Sequence, residues 1–297
     1  MDERVVVGVD GSSNSIRALA WAAADAAARG AVLQAAIVWQ PDAGSGGGSG
    51  GGASEAEARL DRALAEVAAR TGDVAVEKVV LGGETAPMLC ELAAGASVLV
   101  VGWRGYTGVT GAVLGSVSLR CVRRSPCPVV VVNGEHDRSG GPPPGRIVVG
   151  IDRSPGSAAA LGWALEEARW RRWEIDAVEV GRDPYQEDMA LELDMPHFRR
   201  ERPGMVRASR ERLEQFVADV AGTQPPVAIR PLLLDGDPDT KLCERSADAD
   251  LLVVGSRGRG GLARVVLGSV SSHCAHHSRC PVAIIPAGAP AAPAPGD

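Results

Sequence analysis

The segment VLVVGWRGYTGVTGAVLGSVS at residues 98–118 has a second copy in the same chain, LLVVGSRGRGGLARVVLGSVS at residues 251–271. Position 98 maps onto 251, an offset of 153, and the same offset carries Cys90, Cys121 and Cys127 onto Cys243, Cys274 and Cys280. Closer to each start, VVVGVDGS (5–12) matches IVVGIDRS (147–154), an offset of 142 that also maps Trp21 onto Trp163. The shift from 142 to 153 places an 11-residue insertion in the second copy, expected within 181–203. One folding unit is therefore used twice, and the repeat decides the architecture.

The repeat divides the chain into residues 1–133, a linker at 134–145, residues 146–286 and a tail at 287–297. The linker region NGEHDRSGGPPPG is polar and rich in Gly and Pro, and the tail AGAPAAPAPGD is Ala/Pro-rich and expected to be disordered. Within the first copy, VVVGVD is a short apolar run that reads as a buried strand. Residues 13–29 carry Ile16, Leu19, Ala20, Ala23 and Ala27 at helical spacing, with Ser12 or Ser13 available as N-cap. Strands follow at 31–39, 74–81, 97–102 and 128–133, and helices at 54–70, 85–94 and 116–124. The second copy repeats this order. Alternating strands and helices predict an α/β fold with a parallel sheet covered on both faces, one sheet per copy.

Such a sheet binds ligands beyond the carboxyl ends of its strands, where strand order reverses. The fourth strand of each copy runs there into a glycine pattern, Gly102-x2-Gly105-x9-Gly115-Ser116 and Gly255-x2-Gly258-x9-Gly268-Ser269. Glycines let a backbone approach a phosphate, and successive N–H groups make an anion site. Gly-Ser then opens a helix whose first N–H groups, at Ser116, Val117 and Ser118 or Ser269, Val270 and Ser271, favour negative charge. The hydroxyls of Ser116, Ser118, Ser269 and Ser271 add donors, and Arg104 and Arg257 occupy matching places within reach of a phosphate. Asp10 and Asp152 end the first strands, where a carboxylate can accept from ribose hydroxyls or hold a metal on the phosphates. A plain helix N-cap or Asx turn is the alternative for both.

VVVGVDGS, then G-x2-G-x9-G-S, then CPVVVV resembles the universal stress protein family of the ATP-binding type, twice over nearly the whole chain. The resemblance implies strand order 3-2-1-4-5 in each five-stranded parallel sheet, ATP between strands 1 and 4, and pairing of domains through the fifth strands. Carried onto this chain, the nucleotide site comprises Gly8, Asp10, Gly102, Gly105, Gly115 and Ser116, then Gly150, Asp152, Gly255, Gly258, Gly268 and Ser269. It adds the neighbourhood of Trp39, Gly82 and Gly83 in copy one, and of Val180 and Gly236 in copy two. ATP, with Mg2+, is the implied cofactor. Trp103 and Tyr106 stand where copy two has Ser256 and Arg259, so copy one offers less positive charge to phosphates.

Other patterns weigh less. Gly46-x-Gly48-x-x-Gly51 matches a dinucleotide fingerprint but sits inside a Gly/Ser run, DAGSGGGSGGGAS (42–54), that reads as a flexible loop. His273, Cys274, His276, His277 and Cys280 could suggest zinc, yet copy one keeps the cysteines without the histidines, so the cysteines read as small buried apolar residues. Trp21 and Trp163 read as core, and the acidic stretch Glu187–Asp194 as a solvated element or lid in the insertion. The net charge of −6 argues against general affinity for nucleic acid or anionic membrane, and the start of the chain shows no signal peptide, which makes the cytoplasm the default location. No GxxxxGK[ST] and no catalytic triad or paired-carboxylate set is present. A regulatory ATP-binding protein of stress response is the leading reading, acting on an unknown protein partner, with a homodimer possible. A slow ATPase or a phosphoryl- or adenylyl-transferring enzyme on the same fold is the alternative.

Overall fold

The computed structural model describes residues 3–40, 50–71, 74–103, 114–133, 145–181, 196–258 and 267–286. Copy one runs β1 (Arg4–Gly8), α1 (Ser13–Arg29), β2 (Val32–Trp39), α2 (Gly50–Thr71), β3 (Val76–Gly82), α3 (Thr85–Leu92), β4 (Val98–Gly102), α4 (Ser116–Arg124) and β5 (Val129–Val132). Copy two runs β6 (Arg146–Ile151), α5 (Pro155–Arg171), β7 (Glu174–Gly181), α6 (Pro196–Ala221), β8 (Ile229–Asp235), α7 (Pro238–Ser246), β9 (Leu251–Gly255), α8 (Ser269–His277) and β10 (Val282–Ile285).

Each half has the expected order, β3-β2-β1-β4-β5 and β8-β7-β6-β9-β10, with parallel neighbours. The fifth strands pair, as the family resemblance implies, and this makes the two five-stranded sheets continuous. β5 and β10 pair antiparallel, with Val130 opposite Ala283, and fuse the halves into one ten-stranded sheet. The reason is local. Both strands are fully buried apolar runs of four residues, and an open apolar edge is unfavourable until it is paired. Alternation within each strand then sends side chains to two cores. Val5 and Val7 join Val130, Val149 and Ala283 on one face, while Val6 joins Val131, Val148 and Ile284 on the other. Both cores run unbroken through the junction.

Capping explains where α1 and α5 start. Ser12 and Ser154 accept from the backbone N–H of Ser15 and Ser157, both at 3.2 Å. Gly30 ends α1 in the left-handed conformation at φ 66°. α2 corrects the reading of 42–54 as loop, because residues 50–54 already belong to its first turns. Ala56, Leu60, Ala63 and Val67 bury one face of this helix, and Gly52 lies against the Trp39 indole, where a Cβ would come within 2.9 Å of a ring carbon. Packing on the sheet extends the helix into the glycines. Gly46 and Gly48 lie outside the described residues, as do the linker stretch 134–144, the acidic stretch Glu187–Asp194 and the tail 287–297.

The junction is also closed by charge. α1 and α5 meet over β5 and β10 through Asp25, Arg29, Glu167 and Arg171, with both carboxylates fully buried. Arg29 pairs with Asp25 at 2.9 Å and with Glu167 across the junction. Arg171 pairs with Glu167 at 3.0 Å and crosses to Asp25 at 2.8 Å. The offset of 142 maps Asp25 onto Glu167 and Arg29 onto Arg171, so the cluster is pseudo-symmetric. Trp21 is only partly buried, since its ring supports the Arg171 guanidinium at 4.8 Å, with Trp173 at 4.8 Å on Arg171 as well. Trp163 is likewise partly buried at the core margin.

Two variants test this account. Val130→Asp places a carboxylate at a fully buried centre of the β5–β10 ladder. It is expected to separate the halves, read as a larger radius in solution scattering; an unchanged radius would contradict the ladder. Arg172 ends α5 at φ 57°, where α1 has Gly30. Arg172→Gly should raise stability by about 1 kcal/mol in denaturant titration, because only glycine takes that conformation without strain.

Candidate functional site

β6 and β9 are neighbours whose chains leave the sheet in opposite directions, and a cleft opens at their carboxyl ends. In copy two it is a cavity of about 570 Å3 lined by Gly150, Ile151, Asp152, Val178, Val180, Pro238, Leu242, Val254, Gly255, Arg257, Gly258 and Gly268–Ser271. That is the size of a small-molecule site. The floor is apolar, from Val178, Val180, Leu242 and Val254. The rim is the start of α8, with Ser269 exposed. Nine of the sequence candidates for copy two, Gly150, Asp152, Gly255, Arg257, Gly258, Gly268, Ser269, Val270 and Ser271, thus converge on one cleft. Gly236 does not line it. It ends β8 at φ 128°, and its counterpart at offset 153 is Gly83, at φ 140°, rather than Gly82. Gly82 instead packs on the Trp39 indole. Arg104, Gly105 and Arg259 lie outside the described residues.

The glycines of the motif do different jobs. A Cβ at Gly255 would stand 2.8 Å from the Gly156 carbonyl oxygen, and one at Gly102 would stand 2.9 Å from the Asn14 carbonyl carbon. These two positions let the end of β4 or β9 touch the backbone at the start of α1 or α5. Gly8 and Gly150 make room for Leu89 and Leu242, at 2.8 and 3.0 Å. Gly268 is different. Its φ of −61° suits any residue, and a Cβ there would meet only ordinary contacts from 3.4 Å outward. The chain's own packing does not require glycine at Gly268. Its place as N-cap leaves the first turn of α8 without a side-chain cap, and Gly115 caps α4 in the same way at φ −60°.

Hydroxyls and carboxylates are also more constrained than the sequence suggested. Ser118 and Ser271 do not point donors into the cleft. Each donates to the carbonyl oxygen of Gly102 or Gly255 at 2.6 Å and so ties the helix to the strand end. Asp10 and Asp152 form Asx turns, Oδ1 accepting from the N–H of Ser12 at 2.9 Å and of Ser154 at 3.0 Å. Asp152 nevertheless faces the cleft, since a Cβ on Gly258 would come 2.5 Å from its Oδ2. The arrangement can hold a flat apolar ring on the floor and an anion at the helix start.

Of the floor, the resemblance named only Val180, and Val178, Leu242 and Val254 were missed. Leu89 and Leu242 match at offset 153, as do the other repeats, so the signal was available. Sequence reasoning also missed a contact across the halves, where Nδ1 of His276 accepts from the Leu114 N–H at 3.0 Å, one residue before Gly115. Among the described residues, no group of His, Cys, Asp and Glu is placed to hold a metal, and no helix is long and apolar enough to cross a membrane.

The strand order and the cleft define a doubly wound α/β protein, used twice in one chain, with a cavity at the topological switch point of copy two. Its sequence matches the model of the Universal stress protein family over residues 1–133 and again over 144–286, and the chain belongs to that family. Universal stress protein Rv2005c of Mycobacterium tuberculosis is 32% identical over 304 residues, covering 94% of this chain and 96% of the relative. Universal stress protein Rv2623 of the same species is 30% identical over 295 residues, covering 94% and 95%. Among solved structures, a universal stress protein from Archaeoglobus fulgidus covers 96% of this chain and 98% of its own, with TM-score 0.68 and 21% identity. It supports the fold.

The division of labour among glycines predicts opposite outcomes for two substitutions. Gly255→Ala should cost about 1–3 kcal/mol in thermal or denaturant unfolding, because its Cβ has only backbone to push against. Gly268→Ser should leave stability unchanged or slightly raised, since Ser is a good N-cap for α8. Equal losses from both would contradict the assignment.

Proposed function

We propose that the protein binds ATP, one molecule per half, and that nucleotide occupancy sets its regulatory state. The observation that carries this reading is Gly268, a glycine that the chain's own packing does not require, at the start of a helix without a side-chain cap, lining the 570 Å3 cleft. The α8 N–H groups and the Ser269 hydroxyl suit the phosphates, and the apolar floor suits adenine. Asp152 suits the ribose hydroxyls or a Mg2+ ion held on the phosphates. Arg257 lines the cleft and supplies positive charge, and Arg259 follows it by two residues in the sequence. Copy two is the tighter site in this reading, because copy one places Trp103 and Tyr106 where copy two has Ser256 and Arg259.

Calorimetric titration with ATP and Mg2+ tests the proposal. Up to two molecules should bind per chain. Gly268→Ser should remove the tighter phase, since the added hydroxyl occupies the N–H groups that phosphate would use, and Gly115→Ser should remove the weaker one. No heat at millimolar ATP would overturn the reading. Loss of the tighter phase in Gly115→Ser would reverse the ranking of the sites.

A further inference from the structure

The start of α4 is held from the other half of the chain. The N–H of Leu114, a buried residue, donates at 3.0 Å to Nδ1 of His276 in the last turn of α8. The next N–H, of Gly115, donates at 2.8 Å to the Trp103 carbonyl, just past the end of β4. Two consecutive residues are thus pinned, one by each half, immediately before the N–H groups of Ser116, Val117 and Ser118. A second bond crosses the junction nearby, from the Asn133 side-chain amide to the carbonyl of Ser278, the residue that ends α8.

Neither cross-junction bond can form in the mirror direction. The offset of 153 maps Leu114 onto Leu267 and Arg123 onto His276, and the Arg123 guanidinium has no acceptor to offer the Leu267 N–H. The same offset maps Asn133 onto Pro286, which has no side-chain donor for the Ser125 carbonyl. Leu267 lines the cleft of copy two and precedes the Gly268 cap, as Leu114 precedes Gly115. The Gly268 N–H donates to the Ser256 carbonyl at 2.9 Å, so each half ties its own cap to its own strand. The residue before the cap is tied to an imidazole across the junction in copy one alone among the described residues.

We propose that His276 is a positioning residue for the nucleotide site of copy one, which is completed across the junction by an imidazole that has no counterpart at site two. The inference rests on the reading of the α4 start as a phosphate-binding end. An Nδ1 that accepts carries no proton, so His276 acts here as a neutral ring. Its bond fixes the peptide that leads into the Gly115 cap, and with it the direction of the N–H groups that follow. α8 has nine residues and is roughly 13 Å long at 1.5 Å per residue. Its first turn lines the copy-two cleft, and its last turn holds the entry to α4 in copy one.

Two measurements on the full-length chain test this. The first uses no nucleotide. In His276→Phe, hydrogen exchange at the Leu114 amide, read by mass spectrometry of overlapping peptides, should rise about three- to tenfold, the range that loss of one hydrogen bond spans. Exchange at Leu267 should stay unchanged. The second is ATP titration in a Gly268→Ser parent, where copy one is the remaining site. His276→Phe should weaken binding there by about three- to tenfold. His276→Asn should restore both values, because asparagine Oδ1 stands the same number of bonds from the backbone as histidine Nδ1 and also accepts. Arg123→Ala, at the mirror position, should leave both as in the parent. Should His276→Phe not fold, His276→Arg takes its place, since it likewise offers no acceptor. Unchanged Leu114 exchange, unchanged ATP affinity, or failure of His276→Asn to restore either would overturn the proposal. So would ATP binding by the unsubstituted chain that is lost altogether in Gly268→Ser. No ATP binding by the unsubstituted chain would overturn the nucleotide reading instead, and Leu114 exchange would still decide whether His276 positions the start of α4.

Discussion

The β5–β10 ladder is the contact on which the rest of the molecule depends. Each half ends in a four-residue apolar edge, and neither could stand exposed without inviting association with another chain. Antiparallel pairing turns two liabilities into the centre of one sheet, and it sets the two halves about a pseudo-twofold axis. The buried charges follow from that axis. Asp25 and Glu167 are each satisfied by one arginine of their own helix and one from across the junction, so neither half alone completes its set. Removing one member of such a cluster strands a buried charge at a cost of about 3–5 kcal/mol, whereas the intact set is close to balanced. The ladder supplies the apolar stabilisation, and the charges fix orientation.

The duplicated glycine pattern was legible in the sequence, and its described members in copy two line one cavity at the carboxyl ends of β6 and β9. Its physical meaning was only half legible. Gly102 and Gly255 are spent on backbone contact with the starts of α1 and α5, and Gly8 and Gly150 on Leu89 and Leu242. A motif cannot distinguish a glycine demanded by packing from one that leaves space for a ligand, because both look alike in one dimension. A Cβ would press on its neighbours at Gly102, Gly150 and Gly255, whereas one at Gly268 would meet only contacts from 3.4 Å outward. The serines behave similarly. Ser116 and Ser269 stay exposed at the rim, while Ser118 and Ser271, identical in type and two residues on, point back to the strand.

Element types were legible because short apolar runs alternate with segments of helical spacing, whereas the order of the strands was legible only through the family resemblance. The single ten-stranded sheet was less so. Parallel order within a half follows from alternation of strands and helices, but whether two halves share a sheet depends on edges meeting in space. The apolar character of 128–133 and 281–286 hinted at pairing without fixing its register. The early start of α2 was hidden because glycine has poor helix propensity, which packing of Ala56 and Leu60 overrides.

Comparison of the copies shows what each position is for. Gln34 bonds Arg4 and Glu77 in copy one, whereas Asp176 in the same place pairs with Arg146, Arg230 and Arg245. Glu77 corresponds to Arg230 at offset 153, so the strand neighbour changed sign as the buried amide became a carboxylate. That is compensation within a structural site at the amino ends of the strands. Gly11 and Arg153 differ in another way. Both occupy the left-handed region, at φ 83° and 61°, and the arginine tolerates a conformation that disfavours side chains while pairing with Glu179 at 3.0 Å. The backbone geometry after β1 and β6 has therefore been kept even where the residue that suits it was lost. It is this geometry that aims Asp10 and Asp152, one residue earlier, from the strand end into the Asx turn beside the cleft. The turn, with the aspartate and serine that make it, is what the duplication has preserved there, while the residue between them has changed.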